Sequence, residues 1–123
     1  MVQQNPVSNA SPNADQSLMA FLKDKVNTFV RWDLVRFFND NPHAMDTAEN
    51  IAQYTGRDVH EVETELLGLV EDNILRMTES NGRRIFSLTT DQTTRDLIRR
   101  FVLACDNREF RVNAINQVIR SMR

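Results

Sequence analysis

The segments 74–79 and 84–89 flank Ser80-Asn81-Gly82-Arg83, and this arrangement constrains the fold more than any other stretch of the chain. A two-residue type I′ turn needs positive φ at both central positions, which asparagine tolerates and glycine adopts freely, so Asn81-Gly82 predicts a β-hairpin. With those two residues as the loop, Glu79 opposes Arg84, Met77 opposes Phe86 and Leu75 opposes Leu88. One face is then apolar at its base and ion-paired near its tip, and Arg76, Thr78, Arg83, Ile85 and Ser87 fall on the other.

Upstream of the hairpin the apolar spacing changes from two to three or four, the period of a helix. Asp46 or Thr47 can cap a short helix through Ile51-Ala52, and Asp46 with Glu49 has the spacing of a capping box. That helix ends at Gly56, a residue suited to the positive φ of a tight turn. A further helix follows at once, with Asp58 and Glu61 repeating the capping pattern. It carries Val62, Leu66, Leu69 and Val70 on one side and His60, Glu61, Thr64 and Glu71 on the other. Asn73 stands where a helix commonly ends in the left-handed conformation.

Before this region Asp15 can cap a helix bearing Leu18, Phe21, Leu22, Val26, Phe29 and Val30, continued by Trp32, Leu34, Val35, Phe37 and Phe38. The stripe shifts near Arg31, which predicts two helices or one bent helix, ending before Asn41-Pro42 because proline pushes its predecessor out of helical space. The apolar surface from 18 to 29 exceeds what a small core needs and is expected to meet a second subunit. Residues 1–16, rich in Gln, Asn, Ser and Pro, have neither a basic nor an apolar signal segment and are expected to be a disordered tail. The remaining 17–123 suffice for a single domain, since 123 residues at 41% hydrophobic bury one modest core. No apolar run reaches the roughly 18 residues needed to span a bilayer, so no membrane association and a cytoplasmic location are expected.

After the hairpin, Thr90 or Asp91 can cap a helix with Leu97, Ile98, Phe101, Val102, Ala104 and Cys105 on its apolar side. Asp106-Asn107 interrupts it, and Phe110, Ala114, Ile115, Val118, Ile119 and Met122 trace a last helix. Charge is divided along the chain. Residues 1–75 hold 12 acidic and 5 basic side chains, whereas 76–123 hold 5 acidic and 10 basic, every base an arginine. Guanidinium groups fork onto phosphate or carboxylate, so the second half is the better candidate for an anionic partner, or for the acidic half of the same or a neighbouring chain.

Taken in order, Ile51-Ala52, Gly56, Val62, Leu66, Leu69, Glu71-Asp72-Asn73-Ile74-Leu75 and Arg83-Arg84-Ile85-Phe86-Ser87-Leu88 resemble the winged helix-turn-helix superfamily of small bacterial regulators, of the kind that includes the ArsR and MarR groups. The resemblance covers 32–89, with Asn73 where members often have glycine. It implies a mainly α fold with a small β-hairpin, extra helices at both ends, and duplex DNA as partner, bound by a homodimer. The third helix of the motif, after Gly56, would enter the major groove and the wing would touch phosphate or minor groove. The terminal helices, 91–123, would build the dimer interface; the alternative is that they fold back over their own core.

The third helix departs from that pattern. His60, Glu61, Glu63 and Thr64 would face the groove, and none is Arg, Lys, Asn or Gln. Carboxylates oppose the phosphate neutralisation that supplies most non-specific affinity, although glutamate can accept from cytosine. Phosphate contacts are therefore expected from Arg57 in the turn and from Arg76, Arg83 and Arg84 in the wing, with His60, Glu61 and Thr64 on the third helix. The alternative is a winged-helix protein-interaction module whose acidic third helix meets a basic partner and which does not bind DNA. No enzymatic role, cofactor or metal is expected. His43 and His60 neighbour no nucleophile motif, the three glycines are too scattered for a phosphate loop, and Cys105, the single cysteine, reads as a small buried hydrophobe.

Overall fold

The computed structural model describes residues 12–122, in the order α1 (Pro12–Lys25), α2 (Phe29–Asp40), β1 (Met45–Asp46), α3 (Ala48–Thr55), α4 (Val59–Glu71), β2 (Leu75–Ser80), β3 (Arg83–Leu88), α5 (Gln92–Ala104) and α6 (Arg108–Ser121). The expected mainly α architecture is found, with a sheet larger by one strand than the hairpin. β1 adds to the free edge of β3, giving the antiparallel order β1-β3-β2. Met45 lies opposite Ser87 and Asp46 opposite Phe86.

The hairpin takes the register its turn dictates: Leu75 opposite Leu88, Met77 opposite Phe86, Glu79 opposite Arg84. Asn81 and Gly82 have φ of 54° and 79°, the left-handed pair that type I′ requires. Leu75, Phe86 and Leu88 are buried, so the base of the hairpin packs into the core, while Met77 stays partly exposed. Asn73 is also left-handed, at φ 63°, as its position after α4 predicts.

The N-terminal region differs from expectation in two ways. α1 starts at Pro12, so 12–16 of the expected tail are helical and Asp15 lies inside the helix rather than at its cap; residues 1–11 fall outside the described residues. A proline opens the helix at no hydrogen-bond cost, because the first turn has no carbonyl partner for its N–H. The break then comes before Arg31, at 26–28, where Thr28 Oγ1 accepts from Arg31 N at 3.0 Å and caps α2. α2 ends at Asp40, just ahead of Asn41-Pro42.

The apolar surface of α1 does not await a second subunit. Leu18, Phe21, Leu22 and Val26 are buried in the same chain, and α1 packs on α6 and α5. Phe101 of α5 joins these layers. Its ring meets Phe21 at 5.9 Å, Trp32 at 5.5 Å and Phe110 at 6.3 Å between centroids, each edge to face, the arrangement the ring quadrupole favours. The terminal helices therefore complete this chain's own core, through Ile98, Phe101, Phe110, Ala114 and Val118.

A charged tie fixes α4 to α2. Arg31 donates from Nε to Glu65 at 2.7 Å and from Nη1 to Asp72 at 2.8 Å and to the Lys25 carbonyl at 3.0 Å. Burial opposes the charge on Arg31, but the hydrogen bonds and charges of Glu65 and Asp72 outweigh it and raise the pKa above the usual guanidinium value. A desolvated cation satisfied on three sides resists removal of any one partner.

Candidate nucleic-acid interface

Three short-range signals aim one end of α3 at the hairpin. Thr47 caps α3, accepting from Asn50 N at 3.3 Å, and Asp46 Oδ1 accepts from Thr47 N at 2.8 Å and Asn50 Nδ2 at 2.7 Å. The capping partner three residues after Thr47 is thus Asn50, not Glu49, whose side chain is left exposed. Pairing of Met45-Asp46 with β3 holds this end of α3 beside the sheet. Between them lies a cleft of about 490 Å³ lined by Ala48, Glu49, Asn50, Glu63, Arg83 and Arg84.

Backbone N–H groups at a helix start carry partial positive charge and bind anions, and two arginines across a cleft extend that field. Glu49 and Glu63 oppose it. Arg84 Nη1 lies 3.6 Å from Glu63 Oε2, so the ion pair expected across the strands with Glu79 forms instead with α4. Register alone could not show this, because Glu79 and Glu63 both lie within reach of a long arginine and only the tertiary packing decides between them.

Of the arginines expected to contact phosphate, Arg83 and Arg84 share the cleft and both are exposed. Arg76 is exposed and does not line the cleft; it lies on the same face of the hairpin as Arg83 and on the opposite face from Arg84, since neighbouring strand residues alternate. Arg57 follows Gly56, whose φ of 70° ends α3, and so stands at the opposite end of that helix from the cleft. Its Nε and Nη2 both reach Asp33 Oδ2, at 2.8 and 2.7 Å. The sequence held no sign of that pair, which joins residues 24 apart.

α4 starts at Asp58, whose Oδ2 accepts from His60 N and Glu61 N at 3.1 Å. Val62, Leu66 and Leu69 then point inward, leaving His60, Glu61, Thr64 and Glu71 on an exposed face. Glu65 is taken up by Arg31 and Glu63 by Arg84, so Glu61 and Glu71 carry the outward negative charge of this helix without an ion-pair partner among the described residues. No group of three or more His, Cys, Asp or Glu side chains among the described residues is placed to hold a metal ion. No helix among them is long and apolar enough to cross a membrane.

No protein-family model matches the chain, and no curated protein matches it. Among solved structures it is similar to a possible transcriptional regulator from Methanosarcina mazei Go1, at 17% identity and a TM-score of 0.48, over 78% of this chain and 79% of that one.

Proposed function

We propose that this chain is a winged-helix protein that binds duplex DNA, with transcription regulation as its role, and that it does so mainly through phosphate. The observation that carries this reading is the convergence of the α3 N-terminus with Arg83 and Arg84 on one cleft. A phosphate seated there would meet backbone N–H groups and guanidinium forks together. Arg76 would serve a second phosphate from the outer face of the hairpin, and Arg57 a third from the turn after α3. His60, Glu61 and Thr64 would face the major groove from α4, with Glu61 able to accept from cytosine N4. Specificity from so acidic a helix is modest, and most of the affinity is electrostatic.

A dimer fits the same reading. On α6, Phe110, Ala114 and Val118 turn inward, while Val112, Ile115, Ile119 and Met122 recur at spacings of three and four on the opposite side. Val112, Ile119 and Met122 are 43%, 42% and 62% exposed, and this stripe is the surface we assign to a second copy.

The test is affinity for duplex against salt. Binding should fall steeply with salt, and Arg83→Ala with Arg84→Ala should weaken it across sequences while flattening log K against log salt by about 0.9 for each phosphate no longer neutralised. Absence of binding at low salt would overturn the reading. The outward carboxylates Glu61 and Glu71 favour a second one, a protein-interaction module whose α4 meets a basic partner. In that case Glu61→Lys would abolish partner capture and leave duplex binding, if any, stronger.

A further inference from the structure

We propose that Asp33 and Glu63 are built-in competitors of phosphate, each holding an arginine that a nucleic acid must take from it; this rests on the duplex-binding reading above. Three arginines tie distant parts of the chain through carboxylates, and their exposures separate them. Arg31 is 13% exposed and lies on partners at 23% and 31%, a position from which no outside anion can draw it without opening the α2–α4 contact. Arg57 and Asp33 are 32% and 40% exposed, and Arg84 and Glu63 are 47% and 45% exposed. An incoming phosphate can reach either guanidinium while the fold stays intact.

The chemistry of exchange is nearly balanced. Carboxylate and phosphate both present oxygen pairs that accept from a guanidinium fork, and exposed ion pairs hold their partners weakly. Asp33 already occupies Nε and Nη2 of Arg57 with a single oxygen. A lone phosphate that displaces a carboxylate therefore gains little, and it meets the repulsion of the carboxylate it has displaced. A duplex presents phosphates in a row. It can engage Arg76 and Arg83, for which no carboxylate partner occurs among the described residues, and draw Arg57 and Arg84 across in the same event. The two carboxylates thus set a threshold that favours arrays of phosphate over isolated ones and hold duplex affinity below what four arginines would otherwise give.

The test separates competition for a named arginine from general negative charge. Affinity for a short mixed-sequence duplex is measured by fluorescence anisotropy at low salt for the wild type, Asp33→Asn, Glu63→Gln and Glu71→Gln, with melting curves confirming that each folds. Glu71 is an exposed carboxylate on the same helix as Glu63, has no ion-pair partner among the described residues and is assigned no contact with DNA, so its substitution reports charge alone. We expect Asp33→Asn and Glu63→Gln to tighten binding by about threefold more than Glu71→Gln, within the range an exposed ion pair can contribute. In an Arg84→Ala background the excess of Glu63→Gln over Glu71→Gln should vanish. Equal gains from Glu63→Gln and Glu71→Gln in both backgrounds would overturn the inference while leaving duplex binding standing. Binding by the Asp33→Asn/Glu63→Gln double variant with none by the wild type would support it in its strongest form. No binding by any variant would overturn the duplex reading and this inference with it.

Discussion

Arg31 and Gly68 exclude one another's alternatives: a side chain begun at Gly68 would overlap Nη2 of Arg31. Glycine in the middle of a helix costs about 1 kcal/mol relative to alanine, so α4 carries a local penalty that propensity cannot explain. The guanidinium explains it. Glu65, Asp72 and the Lys25 carbonyl hold Arg31 in place, and the space over Gly68 is where it fits.

That relationship predicts a change of sign. Gly68→Ala alone should destabilise the protein by about 1–2 kcal/mol in urea unfolding, because the arginine must leave partners that satisfy a partly buried charge. In an Arg31→Ala background the same substitution should stabilise by about 0.5–1 kcal/mol, as helix propensity then acts alone. Stabilisation in both backgrounds would show that Arg31 moves aside freely.

Asp91 caps α5, its Oδ2 accepting from Thr94 Oγ1 at 2.6 Å and from Thr94 N at 2.9 Å. The Thr94 hydroxyl first, and its N–H second, hold the Asp91 carboxyl below its ordinary value of 3.8. A folded-state value below the unfolded one means stabilisation that is complete above the unfolded value and lost as pH falls through the folded one. Asp91→Ala should therefore lower the melting temperature at neutral pH. The gap from wild type should close as the pH is taken well below 3.8. A gap of constant size would assign the effect to helix propensity instead.

Burial pushes the Cys105 thiol from 9.0 up to about 11, with Asp106 adding to the rise and Arg111 and Arg36 opposing it. Native Cys105 should then react with iodoacetamide at pH 8 roughly a hundredfold more slowly than in the urea-unfolded chain, since only the thiolate attacks. The sign for stability follows. The unfolded thiol ionises first, so stability falls between pH 9 and about 11, more steeply for the wild type than for Cys105→Ala. Equal alkylation rates would contradict both statements.

Local chemistry was legible in the sequence wherever the determinants lie close together. Asn81-Gly82 set the hairpin register, Gly56 ended α3, Asp58 capped α4 and Asn41-Pro42 stopped α2. Thr28 could have been read as the α2 cap, being a hydroxyl residue directly before Phe29. β1 could not, because two residues carry no period and their pairing with β3 spans 40 positions of chain. The stripe on α1 showed that a face would be buried but not in which chain, since leucine and phenylalanine bury equally well against their own α6 or a second copy. The same limit hid the arginine partners at the candidate site. Asp33 and Glu63 meet Arg57 and Arg84 only after α2, α4 and the hairpin have packed.

The central claim, that phosphate binds between the α3 N-terminus and the hairpin tip, is tested most directly by backbone amide NMR during titration with a short duplex at low salt. We predict the largest shift changes at Ala48, Glu49, Asn50, Arg83 and Arg84, the residues of the cleft, reversed by added salt. Saturation by duplex with those amides unmoved, or with changes confined to the exposed face of α4, would contradict it.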